Sequence, residues 1–291
     1  MSNYSTSPSI VRSGNLSLTG TKHGRAFLYD FRFVPTGQPK PIVIFVHGFK
    51  GFKDWGYFNM MADHMATHGL VVAKLNLSHN GTTPDSPVDF ADLEAFGQNN
   101  FGLELDDLGQ LIDTLTDTGS RLPDNEADKS GLHLIGHSRG GSLVLLKAAE
   151  DKRVKKVVTW AAVHDLAKRW GSDFLDEWEK KGVQYIPNAR TGQEMPLYYQ
   201  LVEDFKANEP RYSIPHLLPN LEAPLLIVHG TADPSVDVEA AKQLKKWKPT
   251  AEMALVEGGD HVFGGGHPWE ENELPGPAAD VIEKTIAFLT R

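Results

Sequence analysis

Residues 132–141 read Leu-His-Leu-Ile-Gly-His-Ser-Arg-Gly-Gly, a short apolar run that ends in a serine flanked by glycines. The run Leu132–Ile135 predicts a strand and Ser142 lies near the start of a predicted helix, so Ser138 falls in the turn between them. Such a turn strains the backbone at the serine, and glycine at 136 and 140 avoids collisions there. Ser138 is therefore a candidate nucleophile. The alternative is a glycine-rich helix start in which Ser138 is only an N-capping residue.

The rest of the chain alternates short apolar, β-branched runs with segments of helical periodicity. This alternation is typical of an α/β fold, with a mostly parallel sheet and helices on both faces. The predicted strands are Asn15–Leu18, Ala26–Val34, Pro41–Val46, Leu70–Leu75, Leu132–Ile135, Val154–Trp160, Leu225–Val228 and Met253–Val256. The predicted helices are Tyr57–His68, Leu105–Leu115, Ser142–Ala149, Val238–Trp247 and a final one that contains Val281 and Leu289. The first two strands are expected to pair antiparallel.

One connection is longer than the others. Roughly sixty residues, 162–221, separate the sixth predicted strand from the seventh, which exceeds an ordinary loop. We interpret them as a cap inserted after strand 6, between core segments 1–161 and 222–291. Within the cap we expect a helix around Trp170 and Trp178, a hairpin of Val183–Ile186 with Met195–Tyr198, and a helix at Tyr199–Ala207.

A serine hydroxyl needs a base to take its proton, and the base needs a carboxylate to orient it. His261 is favoured among 12 histidines because it follows the last predicted strand, in a glycine-rich loop. Asp233 is favoured as the acid because it lies on the first turn after Leu225–Val228. Asp237 is the alternative acid, whereas Asp260 is too close to His261 in sequence to orient it easily.

The tetrahedral intermediate of acyl transfer carries an oxyanion that backbone N–H groups stabilise. The expected donors are the amides of Arg139, at the helix start, and Phe49, after the strand that ends at Val46. Side chains beside these loops and in the cap either line a substrate pocket or pack the core. The candidates for the pocket are His47, Phe52, Trp55, His137, Trp170 and Tyr198.

Composition excludes several classes of protein. The chain of 291 residues has a net charge of -9 and no long basic run, so we expect neither nucleic acid nor membrane as a partner. With 0 cysteines, it has no thiolate nucleophile and no cysteine-based zinc site. His64 and His68 share a helix face without a metalloprotease motif, so we predict no metal and no cofactor.

Location and assembly are predicted more broadly. Met1–Val11 lacks an apolar signal region, and no run is long enough to span a bilayer, so the expected location is cytoplasmic. The expected partner is a small ester, a short peptide or an amide substrate, bound by a monomer or homodimer.

Three motifs carry a resemblance to a known superfamily: His47-Gly48-Phe49-Lys50-Gly51-Phe52-Lys53-Asp54, Ser78-His79-Asn80-Gly81 and Gly136-His137-Ser138-Arg139-Gly140-Gly141. With the cap, they resemble the α/β-hydrolases, in the branch of cinnamoyl/feruloyl esterases and of dienelactone-hydrolase-like and acyl-peptidase-like serine hydrolases. The resemblance implies an eight-stranded sheet, a Ser138–Asp233–His261 triad, and Phe49 and Arg139 as oxyanion donors. Two features depart from the branch. Hydroxycinnamate esterases usually have glutamine where this chain has Arg139, and dienelactone hydrolases proper use a cysteine.

The sequence therefore predicts a serine carboxylic-ester hydrolase that forms an acyl-enzyme on Ser138. One alternative is a peptidase or amidase of the acylaminoacyl-peptidase or aminopeptidase type, with Glu177, Glu179 or Glu203 as the cap residue that recognises the substrate. A remote alternative is a non-catalytic, ligand-binding scaffold.

Overall fold

A central sheet organises this computed structural model, which describes residues 9–166 and 170–291. The strands are β1 Val11–Arg12, β2 Leu16–Thr19, β3 Ala26–Phe33, β4 Lys40–Val46, β5 Val71–Leu75, β6 Ala127–His137, β7 Val154–Trp160, β8 Val183–Pro187, β9 Glu194–Tyr198, β10 Leu225–Gly230 and β11 Glu252–Val256. Within the described ranges, nine strands form the main sheet in the order β1-β3-β5-β4-β6-β7-β10-β11, with β2 also paired to β3. In this sheet, β3 pairs antiparallel with β1, β2 and β5. The neighbours along the order β5-β4-β6-β7-β10-β11 pair parallel.

Helices cover both faces of the sheet. They are α1 Phe58–Thr67, α2 Leu93–Gly97, α3 Phe101–Thr116, α4 Arg139–Glu150, α5 Ser172–Lys181, α6 Gln200–Ala207, α7 Glu209–Tyr212, α8 Ile214–Leu217, α9 Glu239–Trp247 and α10 Gly276–Leu289. One buried apolar cluster contains Leu108 of α3 and Leu143 of α4. A second cluster contains Met61 of α1 and Val281 of α10. None of the helices in the described ranges combines the length and apolar character needed to cross a membrane.

The predicted fold class is confirmed, with one strand more than expected. The additional strand, Val11–Arg12, pairs with Phe33 and Arg32 at the end of β3. Two exposed residues have too short a pattern to predict a strand. β6 also begins earlier than expected, at Ala127, because its polar start at 128–131 carries no apolar signal and the ladder to β4 has a register shift there.

The segment predicted to be a cap contains the expected helix, hairpin and second helix as α5, β8–β9 and α6. The division into core and cap stays a prediction, and residues 1–8 and 167–169 of those ranges lie outside the described residues. α2 is not among the helices that the sequence predicts. It starts with Asp92, whose side chain accepts a hydrogen bond from the Ala95 amide, and it packs against β9.

Candidate active site

Ser138 lies in a sharp turn between β6 and α4, with φ 55° and ψ -120°. A non-glycine residue in this region costs about 1–3 kcal/mol, so the surrounding structure must hold it there. Its amide donates to the Trp160 carbonyl at 2.8 Å. A Cβ at Gly136 would lie 2.2 Å from the Gly140 carbonyl oxygen, and one at Gly140 would lie 2.3 Å from that of Val46. The two glycines are therefore required by the close approach of the turn to itself and to β4.

The structure brings the three polar residues chosen from the sequence into one hydrogen-bonded chain. Nε2 of His261 lies 3.0 Å from Oγ of Ser138, and its Nδ1 lies 2.8 Å from Oδ2 of Asp233. Because a carboxylate only accepts, Nδ1 carries the proton and Nε2 is free to accept from the serine. The His261 carbonyl also accepts from Nε2 of His137 at 2.8 Å, which fixes the loop that carries the base.

The Asp233 carboxylate is fully buried, and both of its oxygens have polar partners. Oδ1 accepts from the amides of Ser235 and Val236 at 2.8 and 2.9 Å, and Nε2 of His229 lies 3.4 Å from Oδ2. Burial alone raises the pKa of this carboxyl, but hydrogen bonds from His229, His261 and the Val236 amide lower it far below its usual range. Asp233 therefore stays ionised opposite the imidazole.

Sequence reasoning missed His229. Its side chain is buried at the end of β10, and Nε2 donates to the Val236 carbonyl at 2.8 Å. Its position four residues before Asp233, at the end of a predicted strand, was the available signal. His229 positions the acid and the turn around it.

The two other acids considered from the sequence have different partners. Asp237 accepts from the Glu239 amide at 2.8 Å, next to the start of α9. Asp260 accepts from the Val262 amide at 3.1 Å and so shapes the loop that contains His261. Neither takes the position that Asp233 occupies.

The amides expected to stabilise an oxyanion are available. Within the described part of the chain, neither the Phe49 nor the Arg139 amide has a hydrogen-bond acceptor. Both residues line one cavity together with Ser138. Unpaired N–H groups at a helix start, as at Arg139, favour negative charge.

The Arg139 side chain turns to α3, where its Nε donates to Oε2 of Glu104 at 3.0 Å. Nη2 lies equally close to this oxygen but does not make a well-aligned hydrogen bond. The guanidinium lies 4.5 Å from the Phe101 ring centroid and 5.5 Å from that of Phe49. Burial raises the pKa of Glu104, although Arg139 and Asn99 oppose the shift. No local pattern predicts this pair, since its members are distant in the chain.

Two cavities meet at Ser138 and Phe49, which line both. The apolar cavity, of about 140 Å³, is lined chiefly by Phe101, Leu166, Trp170, Ile186, Leu197 and Leu201. The basic cavity, of about 320 Å³, is lined by Lys50, Trp55, Asn188, Arg190, His261 and His267, among others. His261 lines the basic cavity and not the apolar one.

Three of the candidate pocket residues line these cavities. Trp170 lies on the wall of the apolar cavity. Trp55 and His137 lie on the wall of the basic cavity. Burial and the neighbouring His261 together lower the pKa of His137 to about 3, so its imidazole stays neutral.

The prediction was wrong for His47, which lies behind the loop rather than on either wall. Its Nδ1 donates to the Gly48 carbonyl at 2.9 Å, and its Nε2 accepts from the Leu77 amide at 3.3 Å. Burial lowers its pKa to about 4. His47 therefore fixes the shape of the loop that carries Phe49.

Phe52 and Tyr198 also lie outside both walls, contrary to the prediction. Phe52 is completely buried, with its ring between Phe90 and His267. Tyr198 donates from its hydroxyl to Glu94 and so ties β9 to α2. Proximity to the loops in sequence did not distinguish rings that face substrate from rings that face the core.

One group of side chains has the composition of a metal site. Ligand atoms of His64, His68 and Glu283 lie within 4.8 Å of one another. Nε2 of His64 is 2.6 Å from Glu283 in α10, and Nδ1 of His68 donates to the His64 carbonyl. These contacts account for the cluster as a surface ion pair between two helices, and the absence of a metal requirement stays a prediction.

The fold and the site geometry define a class of protein. A model of the alpha/beta hydrolase family matches residues 43–272. The chain belongs to the alpha/beta hydrolase family, as the sequence motifs predicted. No curated protein is significantly similar to it in sequence.

Solved structures share this fold at low sequence identity. Est1E from Butyrivibrio proteoclasticus with bound ferulic acid is 15% identical with a TM-score of 0.66, over 94% of this chain and 99% of that one. A dienelactone hydrolase from Anabaena variabilis is 18% identical with a TM-score of 0.61, over 95% and 96% of the two chains. A puromycin-hydrolyzing peptidase from Mycobacterium tuberculosis is 19% identical with a TM-score of 0.66, over 94% of this chain and 38% of that one. These similarities concern the fold.

Proposed function

We propose that this protein is a serine carboxylic-ester hydrolase that works through an acyl-enzyme on Ser138. The observation that carries the proposal is the hydrogen-bonded chain from Ser138 through His261 to Asp233, with the serine held in a strained turn. A nucleophile, a base and an orienting acid at these distances are the parts that acyl transfer needs.

The proposal assigns a residue to each step of the reaction. The Ser138 hydroxyl attacks the ester carbonyl while Nε2 of His261 takes its proton, and Asp233 stabilises the imidazolium. The Phe49 and Arg139 amides bind the oxyanion. His261 returns the proton to the leaving alcohol as the C–O bond breaks, and water then attacks the acyl-enzyme with the same base.

The side chains that line the two cavities favour ester substrates over peptides with a free amino terminus. An acidic side chain near Ser138 would favour recognition of a free ammonium group, and the described residues on both walls include no aspartate or glutamate. Glu177, the first of the cap acids considered from the sequence, is exposed and pairs with Lys181. The names of several proteins with this fold, dienelactone hydrolase among them, are those of ester hydrolases.

The test is covalent labelling with a fluorophosphonate, followed by intact mass and peptide mapping. We expect one adduct on Ser138, none in Ser138→Ala, and full labelling in the control Ser17→Ala, which changes an exposed serine of β2. Nitrophenyl butanoate and the matching anilide should then be compared by kcat/KM. Absence of labelling and turnover would contradict the proposal, and a preference for the anilide would favour an amidase.

A further inference from the structure

The basic cavity stands out in an acidic protein. Lys50 and Arg190 lie on its wall although the chain as a whole carries a net charge of -9. Within the described ranges, neither cation has an ion-pair partner, and no acidic side chain lines this cavity. Nζ of Lys50 donates to the Pro187 carbonyl at 3.0 Å, and the Arg190 guanidinium lies over the rings of Phe52 and Phe90. The two positive charges therefore lie on the wall of a cavity that Ser138 also lines, without an ion-pair partner among the described residues.

The wall also holds a buried donor that has no partner. Asn188 is 6% exposed, and its Nδ2 makes no hydrogen bond to any described residue. Its Oδ1 accepts from the Arg190 amide at 3.3 Å, so the amide nitrogen is the end left for a ligand. Buried donors without an acceptor are rare in folded proteins, and a bound ligand is one way to satisfy them.

His267 adds a fourth donor to this wall. Its Nδ1 accepts from the Gly56 amide at 2.9 Å, so the ring proton is on Nε2. Burial lowers the pKa of this imidazole, and the positive charge of Arg190 lowers it further. The ring is held between Trp55 and Phe52, which keeps its orientation fixed.

The position of His261 identifies which part of the substrate meets this wall. The base returns its proton to the leaving group, and it lines the basic cavity only. An ester bound at Ser138 therefore places its leaving alcohol in the basic cavity and its acyl group in the apolar cavity.

We propose that the basic cavity binds the leaving group and selects an alcohol or phenol that carries an anionic oxygen group, a carboxylate or a phosphate. Lys50 and Arg190 provide the charge, and Asn188 and His267 provide directed donors. This inference rests on the proposed ester hydrolysis. No additional reactant is required, because the anionic group is bound and stays unchanged while the ester bond breaks.

Lys50 is held for this role by the backbone. It has φ 56°, a conformation that favours glycine, and it directly follows the proposed oxyanion donor Phe49. Burial lowers the pKa of its ammonium group, and a bound anion would reverse this shift. The loop therefore joins oxyanion stabilisation and leaving-group recognition in consecutive residues.

The first experiment compares butanoate esters of phenol, 3-hydroxybenzoate, 3-hydroxyphenyl phosphate and 3-hydroxyphenyl-trimethylammonium. We expect kcat/KM for at least one anionic ester to exceed that of the phenyl ester by roughly tenfold, and the trimethylammonium ester to be the poorest. The preference should decrease as ionic strength rises. The better of the two anionic esters identifies the group recognised. Equal rates for all four esters, or a preference for the cation, would overturn the proposal.

Variants locate the recognition. Arg190→Gln and Lys50→Gln should each lower the ratio of kcat/KM between the anionic and the phenyl ester by about threefold to tenfold. The control Lys180→Gln removes the same charge from the exposed face of α5 and should leave the ratio unchanged. An equal fall of the ratio in all three variants would mean that net charge, and not this wall, makes the selection.

A binding experiment separates this inference from the proposed catalysis. Ser138→Ala should bind 3-hydroxybenzoate or 3-hydroxyphenyl phosphate more tightly than phenol in calorimetry, and adding Arg190→Gln should weaken the anion by several-fold. This result does not depend on turnover. If Arg190→Gln left binding of the anion unchanged, the anionic site would be refuted. If the anion bound but the fluorophosphonate did not label Ser138 of the unaltered protein, the proposed esterase would be refuted and the anionic site would stand.

Discussion

Glu104 of α3 accepts a hydrogen bond from Arg139, the residue directly after the proposed nucleophile, at 3.0 Å. The pair is largely buried, with side-chain exposures of 4% and 12%. Arg139 therefore contributes to the site in two ways under this proposal. Its amide is the proposed oxyanion donor, and its side chain fixes the start of α4 to α3.

Glu104→Gln should destabilise the protein by about 3 kcal/mol, because it leaves the Arg139 guanidinium buried without an opposing charge. Urea denaturation measures the change. The double variant Glu104→Gln with Arg139→Met should recover part of this loss, since both charges are then absent. A double variant as unstable as the sum of its single substitutions would contradict the pairing.

Asp233→Asn should lower kcat on esters by about 10³–10⁴, because an amide at this position favours the wrong tautomer of His261. Folding should be retained, which circular dichroism checks. Asp237→Asn is the matched control, since among the described residues this carboxylate accepts from the Glu239 amide alone. A larger loss of activity in Asp237→Asn than in Asp233→Asn would show that Asp233 is not the acid of the triad.

Gly140→Ala should destabilise the fold by about 3 kcal/mol and remove esterase activity, because its Cβ would lie 2.3 Å from the Val46 carbonyl oxygen. The control is Gly276→Ala at the start of α10, where a Cβ meets nothing within 4 Å. That change should be neutral or stabilise by up to about 1 kcal/mol. Thermal unfolding compares the two. Equal stability of both variants would show that the turn can accommodate a Cβ at residue 140, contrary to the distances in the structure.

Stability should fall as the pH decreases from 6.5 towards 4. Burial lowers the pKa of His133 to about 4, and the nearby charge of Lys156 adds to the shift. Between these pH values the unfolded chain binds more protons than the native one, so the free energy of unfolding rises with pH. Each such histidine contributes up to about 1.4 kcal/mol per pH unit.

His133→Phe should therefore lower the slope of the free energy of unfolding against pH, by the equivalent of about half a proton at pH 6.5 and nearly one proton at about pH 5. His133 lies in β6, and its Nδ1 has no hydrogen-bond partner among the described residues, so the substitution breaks no contact with the site. Urea denaturation at a series of pH values gives the slope. Identical slopes for the two proteins would show that the pKa of His133 is the same in the native and the unfolded protein.

Much of the architecture was predictable because its causes are local. The spacing of apolar residues predicted the parallel sheet, because the burial of a strand depends on neighbouring residues. The positions of the glycines predicted the β6–α4 turn, because backbone strain is also local. The order of Ser138, Asp233 and His261 placed them at one sheet edge because parallel strands end on the same side. The strand Val11–Arg12 was missed because two exposed residues carry no such period.

The side chains that face one another were decided by tertiary structure alone. Packing of distant segments brings Arg139 to Glu104 and places Lys50 and Arg190 on the wall of one cavity, and no local pattern encodes such arrangements. His47 and Phe52 belong to the same motif as Phe49, yet the loop turns them into the interior and leaves Phe49 on the cavity walls. The sequence by itself determined the family and the residues of the proposed triad, while the cavities that select a substrate exist only once the chain is packed.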